Sequence, residues 1–282
     1  MISDARSLRR ACLMGHPVAH SRSPLIHNYW CKQLGIAGVY ELKDLTPEEF
    51  PAFARGLGEN GYVGGNVTVP HKEAAFRVAS ARDAAAEAVG AVNVLWTENG
   101  RLMGGNSDTH GFIANLDERA PGWNVPGCRA LLLGAGGAAR SAVYVLKQRG
   151  VQVDVVNRTL PRAQELAARF GARAHGMAAL GRLLAGADLL VNCTSLGMTG
   201  KQPLPIDLAP LKPSAVVYDV IYVPLRTPLL EAAQRRGHRT VDGLGMLLHQ
   251  AGYGFRKWFG GDPQLTPELR ARLEADIAAD ST

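Results

Sequence analysis

The sequence has little of what marks a secreted, membrane or nucleic-acid-binding protein. Its four cysteines, Cys12, Cys31, Cys128 and Cys193, share no CxxC or metal-like spacing, which argues against a disulfide framework or zinc motif and predicts reduced thiols in a cytoplasmic protein. Arg9-Arg10 is followed by only a short apolar run before Gly15, too little for a signal peptide, and no stretch has the ~20 apolar residues of a membrane span. Low-complexity tracts and internal repeats are lacking. Aromatics make up 6% and never interleave with a basic run, so the net charge of +6 and pI near 9.3 point to small anionic ligands rather than nucleic acid. His16 and His20 are four apart, but Pro17 breaks the helical face that would align them on a metal, and no metal is expected.

What is present is the composition of an ordinary globular chain, 46% hydrophobic and 20% charged over 282 residues. That length suits two domains of ~100–200 residues each. The stretch Arg129 to Arg158 organises the rest. Ala130 to Leu133 reads as a buried parallel strand, Gly134-Ala135-Gly136-Gly137-Ala138 as a tight turn, Ala138 to Gln148 as a helix, and Val151 to Val156 as a second strand. The glycines bring backbone N–H groups up to an anion at a helix N-terminus. Ala139 replaces the third glycine, as the dinucleotide pattern permits.

The end of the second strand discriminates between cofactors. A 2′-hydroxyl is usually held there by Asp or Glu, but this chain has Asn157-Arg158-Thr159, with Arg162 one turn on. A cation favours a 2′-phosphate, so NADP is expected over NAD.

Upstream, Ala11 to Met14 predicts a strand, with Ser23 as N-cap and Pro24 as first residue of the next helix. Ser21 and Ser23 beside that helix N-terminus can equally hold a carboxylate. Thr46 to Glu49 reads as a capping box opening a helix through Leu57, and Asn66 to Val69 as a strand. Pro70 then starts a helix placing Lys72 in its first turn, where the macrodipole opposes an ammonium; the position suits either a proton-transfer residue in a desolvated site or, as is commoner from position alone, a snorkelled surface lysine. Ala81 to Val89 predicts a helix, and Ala91 to Thr97 with Arg101 to Gly105 a hairpin carrying Asn93 inside its first strand. Asp108 reads either as N-cap of the helix to Arg119 or as partner to Lys72.

Downstream, helices are expected over Leu160 to Phe170, near Met177 to Leu184, from Thr227-Pro228, over Met246 to Trp258 and from Thr266-Pro267. Strands are expected over Asp188 to Asn192, Ala215 to Ile221 and Thr240 to Val241. Thr194 and Met198 lie at a strand's carboxyl end, where open parallel sheets bind ligands. Gln250, by default, is an exposed glutamine.

Together these residues resemble the shikimate dehydrogenase family along nearly the whole chain. The match rests on Gly15 to Pro24 with its Ser-x-Ser, Asn66 to Lys72, Gly90 to Asn93, Asn106 to Asp108, Gly134 to Arg140, Asn157 to Thr159, Asn192 to Met198, Tyr218 to Pro224 and Asp242 to Ala251. The resemblance implies an α/β fold: an N-terminal α/β substrate domain, 1–108 plus 245–282, and a Rossmann-type doubly wound NADP-binding domain, 109–244, with the active site in the cleft between them. It implies a catalytic pair, Lys72 and Asp108. It places the shikimate carboxylate on Ser21 and Ser23 with Tyr222 nearby, and ring hydroxyls on Thr68, Asn93, Asp108 and Gln250. Val220 and Gly243 border the cofactor, with Gly243 at the nicotinamide. Ser107 and Val94 stand where the family commonly has Thr, and His71 where an aromatic often sits. The activity implied is NADPH-dependent reduction of 3-dehydroshikimate to shikimate; the alternatives are a quinate/shikimate dehydrogenase using NAD or NADP and a non-catalytic dinucleotide sensor of the same fold. Expected partners are small molecules and, at most, a second copy of the chain.

Overall fold

The computed structural model describes residues 8–280. They divide into two compact units, one comprising the described residues through Ser107 with Gln250–Leu273, the other Asp108–His249 with the described residues from Glu274.

The first unit is built on a six-stranded mixed sheet of β1 (Arg9–Gly15), β2 (Gly38–Asp44), β3 (Gly64–Val67), β4 (Ala81–Arg82), β5 (Val94–Glu98) and β6 (Arg101–Gly105), in the order β2-β1-β3-β5-β6-β4. β1 runs parallel to β2 and β3, whereas β5 and β6 form an antiparallel hairpin beside β3. The capping box forms as expected: the Thr46 N–H donates to Glu49 Oε2 at 2.8 Å and the Glu49 N–H to Thr46 Oγ1 at 3.4 Å, although the helix it opens is shorter, Phe50–Arg55.

Three local expectations fail, each for a visible reason. Ser23 is not the N-cap: helix Ser23–Gln33 is preceded by Arg22, and the Ser23 N–H is satisfied by Ser21 Oγ at 3.3 Å. The single helix expected from Ala81 is split. Ala81–Arg82 pairs with β6, and the Asp83 carboxylate accepts the Ala86 N–H at 2.6 Å to start helix Ala84–Val89. Asn93 lies just before β5 rather than inside it, yet its main chain stays in the ladder, with the Asn93 N–H on Gly105 O and the Val67 N–H on Asn93 O.

The second unit holds a wholly parallel sheet of β7 (Arg129–Leu133), β8 (Gln152–Val156), β9 (Arg173–His175), β10 (Leu189–Asn192), β11 (Val216–Asp219) and β12 (Arg239–Val241). Its order, β9-β8-β7-β10-β11-β12, is the 3-2-1-4-5-6 arrangement of the doubly wound dinucleotide fold, with the switch point between β7 and β10. Alternate residues supply two cores, as the period of two demands. Ala130, Leu132, Val153, Val155 and Val191 face Phe112, Ala142 and Leu146, whereas Leu131, Leu133, Val156 and Leu190 face Leu180, Leu184 and Leu229. β9 has no counterpart among the expected strands. Arg-Ala-His carries no β signal, and it is held at the sheet edge by Asp154, whose carboxylate accepts from Arg173 at 2.8 and 2.7 Å and contacts His175 Nε2 at 2.7 Å.

Candidate active site

In the first unit, buried and half-buried polar side chains form two hydrogen-bonded sets, one around Ser21 and Ser23 and one running from Tyr40 to Gln250. Gly15 lies so close to Thr68 Cγ2 and Val18 Cγ1 that a Cβ would not fit. That approach brings the Ser21/Ser23 loop against the Thr68 turn, whose N–H is bonded to Met14 O at 2.9 Å. Ser21 Oγ donates to Ser23 Oγ at 3.2 Å. On β2, the Tyr40 hydroxyl donates to Asn66 Oδ1 at 2.7 Å, which turns the Asn66 amide so that Nδ2 donates to Asn93 O at 3.2 Å. Asn93 Nδ2 donates in turn to Ser107 Oγ at 3.1 Å and to Gln250 Oε1 at 3.3 Å, while Asn93 Oδ1 accepts the Ser107 N–H at 2.7 Å.

Serine at 107 thus keeps the hydroxyl that holds Asn93, and Gln250 is no exposed bystander. Lys72 opens helix Lys72–Val78, and its carbonyl accepts the Val92 N–H at 3.0 Å, tying the lysine backbone to the segment that leads through Asn93 into β5. The preceding His71 is buried, stacked on Phe50 at 4.5 Å, with Nε2 at 2.7 Å from Leu45 O. The expected site residues Ser21, Ser23, Thr68, Asn93 and Gln250 therefore share one unit with Lys72; Tyr40 and Asn66 join them without having been singled out in the sequence.

Asp108 is the first residue of helix Asp108–Arg119 and the first of the second unit. Tyr222 is half-buried in the loop after β11.

The glycine turn lies at the carboxyl end of β7. Gly134 has φ +104°, open to glycine but strained for other residues, and a Cβ there would meet Cys193 O at 3.2 Å and Thr194 Cγ2 at 3.1 Å. This places the Thr194 loop directly over the turn. Gly136 caps helix Gly137–Gln148, and a Cβ on Gly136 or Gly137 would meet nothing within 4 Å, so the helix N-terminus is open to a ligand. Ala135 and Ala138 flank it, half-buried.

At the end of β8, Asn157 Nδ2 donates to Thr159 O at 2.8 Å, fixing the turn on which Arg158 is exposed. Thr159 then precedes helix Leu160–Phe170 without a side-chain capping bond, and the exposed Arg162 lies in that helix's first turn. The Thr194 hydroxyl and N–H both donate to Asn192 Oδ1, at 2.7 and 3.0 Å, so its methyl and carbonyl are what it can offer a cofactor. Met198 is exposed. The Val220 N–H is held by Asn192 O at 3.1 Å, and Gly243 abuts the carbonyls of Val220 and Ile221 where no Cβ would fit.

A parallel sheet in this strand order, with a glycine turn at its switch point and a separate α/β unit bearing a cluster of buried polar side chains, defines a two-unit dehydrogenase of the dinucleotide-dependent class. The family profile for the shikimate dehydrogenase substrate binding domain matches residues 13–95, and that for shikimate / quinate 5-dehydrogenase matches residues 117–199. The chain belongs to the shikimate dehydrogenase family. It is 58% identical over 272 residues to the shikimate dehydrogenase (NADP(+)) of Mesorhizobium japonicum, covering 95% of this chain and 97% of that one. Among solved structures, shikimate 5-dehydrogenase of Thermus thermophilus in complex with NADP(H) and shikimate is 34% identical, with TM-score 0.86 and coverage of 95% and 99%. Quinate dehydrogenase of Corynebacterium glutamicum in complex with NAD is 29% identical, with TM-score 0.86 and coverage of 94% and 98%. Among the described residues no helix is long and apolar enough to cross a membrane.

Proposed function

We propose that the chain catalyses the reversible NADPH-dependent reduction of 3-dehydroshikimate to shikimate, the reaction for which its relatives are named. The observation that carries this reading is the hydrogen-bonded series Ser21–Ser23 and Tyr40–Asn66–Asn93–Gln250, which gathers neutral donors and acceptors suited to a small polyhydroxylated carboxylate. In this reading 1–108 with 245–282 form the catalytic domain and 109–244 the dinucleotide-binding domain, and the protein works in the cytoplasm with no macromolecular partner beyond a second copy of itself.

NADP fits the residues present. The open N-terminus at Gly136 and Gly137 suits a pyrophosphate, and the strand end offers Asn157, Arg158, Thr159 and Arg162 with no acid to repel a 2′-phosphate. Bound there, the cofactor supplies or accepts the hydride at carbon.

The chain's own residues do the rest. Ser21, Ser23 and Tyr222 hold the substrate carboxylate; Thr68, Asn93, Asp108 and Gln250 hold ring hydroxyls. In the oxidative direction the reacting hydroxyl gives its proton to Lys72 Nζ; in the reductive direction Lys72 returns a proton to the carbonyl oxygen. Asp108 orients the exchanging hydroxyl and supports the ammonium.

Arg158→Gln tests the cofactor half. A charge-assisted contact to phosphate is worth ~1.5–3 kcal/mol, so KM for NADP is expected to rise about 10–100-fold while activity with NAD is unchanged. Equal effects on the two cofactors would remove Arg158 from the site.

A further inference from the structure

We infer that Asp219, a residue with no surface of its own, is the positioning residue that sets the cofactor-facing wall of the second unit; the inference rests on the NADP reading above. Asp219 ends β11 and is fully buried. Its Oδ1 accepts from Asn192 Nδ2 and from the Ile221 N–H, both at 3.1 Å, and its Oδ2 accepts from Thr227 Oγ1 at 2.7 Å.

Each donor leads to a different segment. Asn192, also fully buried, ends β10, and its side chain ties down the following loop: Oδ1 accepts the Thr194 N–H at 3.0 Å and Oγ1 at 2.7 Å, and Nδ2 also donates to Leu196 O at 3.1 Å. Ile221 forms, with Val220, the backbone ridge against which Gly243 packs, and its carbonyl accepts the Gly243 N–H at 3.1 Å. Thr227 caps helix Pro228–Arg235 by accepting the Leu230 N–H at 3.3 Å. One carboxylate thus fixes the loop bearing Thr194 and Met198, the Val220 ridge and, through it, Gly243. Thr194 in turn lies on the first glycine of the turn, Gly134.

The chemistry explains why an acid stands here. Three donors converge on two oxygens and no acceptor faces them, so an apolar side chain would leave all three buried and unpaired. Burial works against the charge and lifts the Asp219 carboxyl to about 6, with the three donors holding it down. Packing alone is served at lower cost by an apolar residue; a carboxylate serves the geometry of three loops.

The test compares Asp219→Ala, Asp219→Asn and Thr227→Val with the parent enzyme. NADPH affinity is measured by calorimetry without substrate, and kcat and both KM values by steady-state assay per folded molecule. Misplacing a wall by about an ångström is worth up to ~100-fold in rate. Asp219→Ala is expected to weaken NADPH binding about tenfold or more and to lower kcat about 10–100-fold, with a smaller rise in KM for shikimate through Tyr222, the neighbour of Ile221. Asp219→Asn, which keeps the oxygen facing Asn192 and Ile221, is expected to restore most of both. Thr227→Val removes a single bond and is expected to fall between them, and it decides the matter should the alanine variant not fold. Unchanged NADPH affinity and kcat in the folded variants would overturn the inference while leaving the function in place. A parent that neither binds NADPH nor turns over shikimate would overturn both.

Discussion

Lys72→Ala is expected to lower kcat by about 10²–10⁴-fold, the usual worth of a positioned acid–base group, with NADP affinity within twofold of the parent. The expected split follows from where the residue sits. Lys72 opens its helix in the first unit, its carbonyl bonded to the Val92 N–H and its neighbour His71 locked between Phe50 and Leu45 O. Every proposed cofactor contact belongs to the second unit. Truncating the side chain removes the proposed proton acceptor without touching the glycine turn or Arg158. Lys72→Arg keeps a cation that does not release its proton near neutral pH, so it is expected to be as slow as the alanine variant. Near-parental kcat in either variant, measured at saturating substrate, would mean that another group exchanges the proton.

The second large effect concerns stability in acid. His27 is fully buried, stacked on Tyr40 with ring centroids 4.2 Å apart and enclosed by Trp30, Phe255 and Trp258. Burial pushes its pKa down to about 3, with a smaller opposing contribution from Asn66. An exposed histidine titrates near ~6.5. Between those values the unfolded chain takes up a proton that the folded chain refuses, so the stability His27 contributes is complete above about pH 6.5 and is lost as the pH falls toward 3.

At ~1.4 kcal/mol per unit well below the unfolded pKa, lowering the pH from 7.5 to 4.5 costs roughly 2.7 kcal/mol through this residue alone. Asp219 acts in the opposite sense, since its carboxyl is raised to about 6 and the folded state then binds the extra proton. That term is common to parent and variant and cancels in their difference. His27→Phe keeps an aromatic ring in the stack and removes the titration. Its unfolding free energy, from urea melts at pH 7.5 and 4.5, is expected to fall less than the parent's by about 2–3 kcal/mol. Equal losses would show that His27 does not govern acid unfolding.

How much of this was legible in the sequence depends on the range of the interaction. The strand–turn–helix–strand run at Arg129 was readable because each part is local: an apolar run, glycines at the turn, then periodicity. Helix Leu160–Phe170 and the Thr227 cap were readable for the same reason. The Ser23 cap was misassigned because Ser21, two residues earlier, competes for the same N–H, and spacing alone does not rank the two. β9 was invisible because what makes it a strand is Asp154, 19 and 21 residues away.

The polar series was the hardest to read. Asn93 and Gln250 are 157 residues apart, Tyr40 and Asn66 26, Asn192 and Asp219 27. Tyr40 carries no local signal, and for Asn66, Asn192 and Asp219 the one signal is a polar residue in a strand, where Asn and Asp are depleted, which does not say what it bonds to. Among the expected site residues, Lys72, Asp108, Ser21 and Ser23 stand out by their places at helix starts, whereas the roles of Thr68 and Gln250 come only from motifs whose combined order resembles a family.

The most direct measurement pairs shikimate and quinate with NADP⁺ and NAD⁺ in one steady-state absorbance assay at about 340 nm, where the reduced nicotinamide absorbs. Shikimate with NADP⁺ is expected to have the highest kcat/KM of the four, with a preference of about tenfold or more over NAD⁺ from the proposed Arg158 contact. Comparable turnover of quinate, or a preference for NAD⁺, would contradict the assignment of the strand end and of the substrate; no turnover with any pair would leave a dinucleotide-binding protein that is not this enzyme.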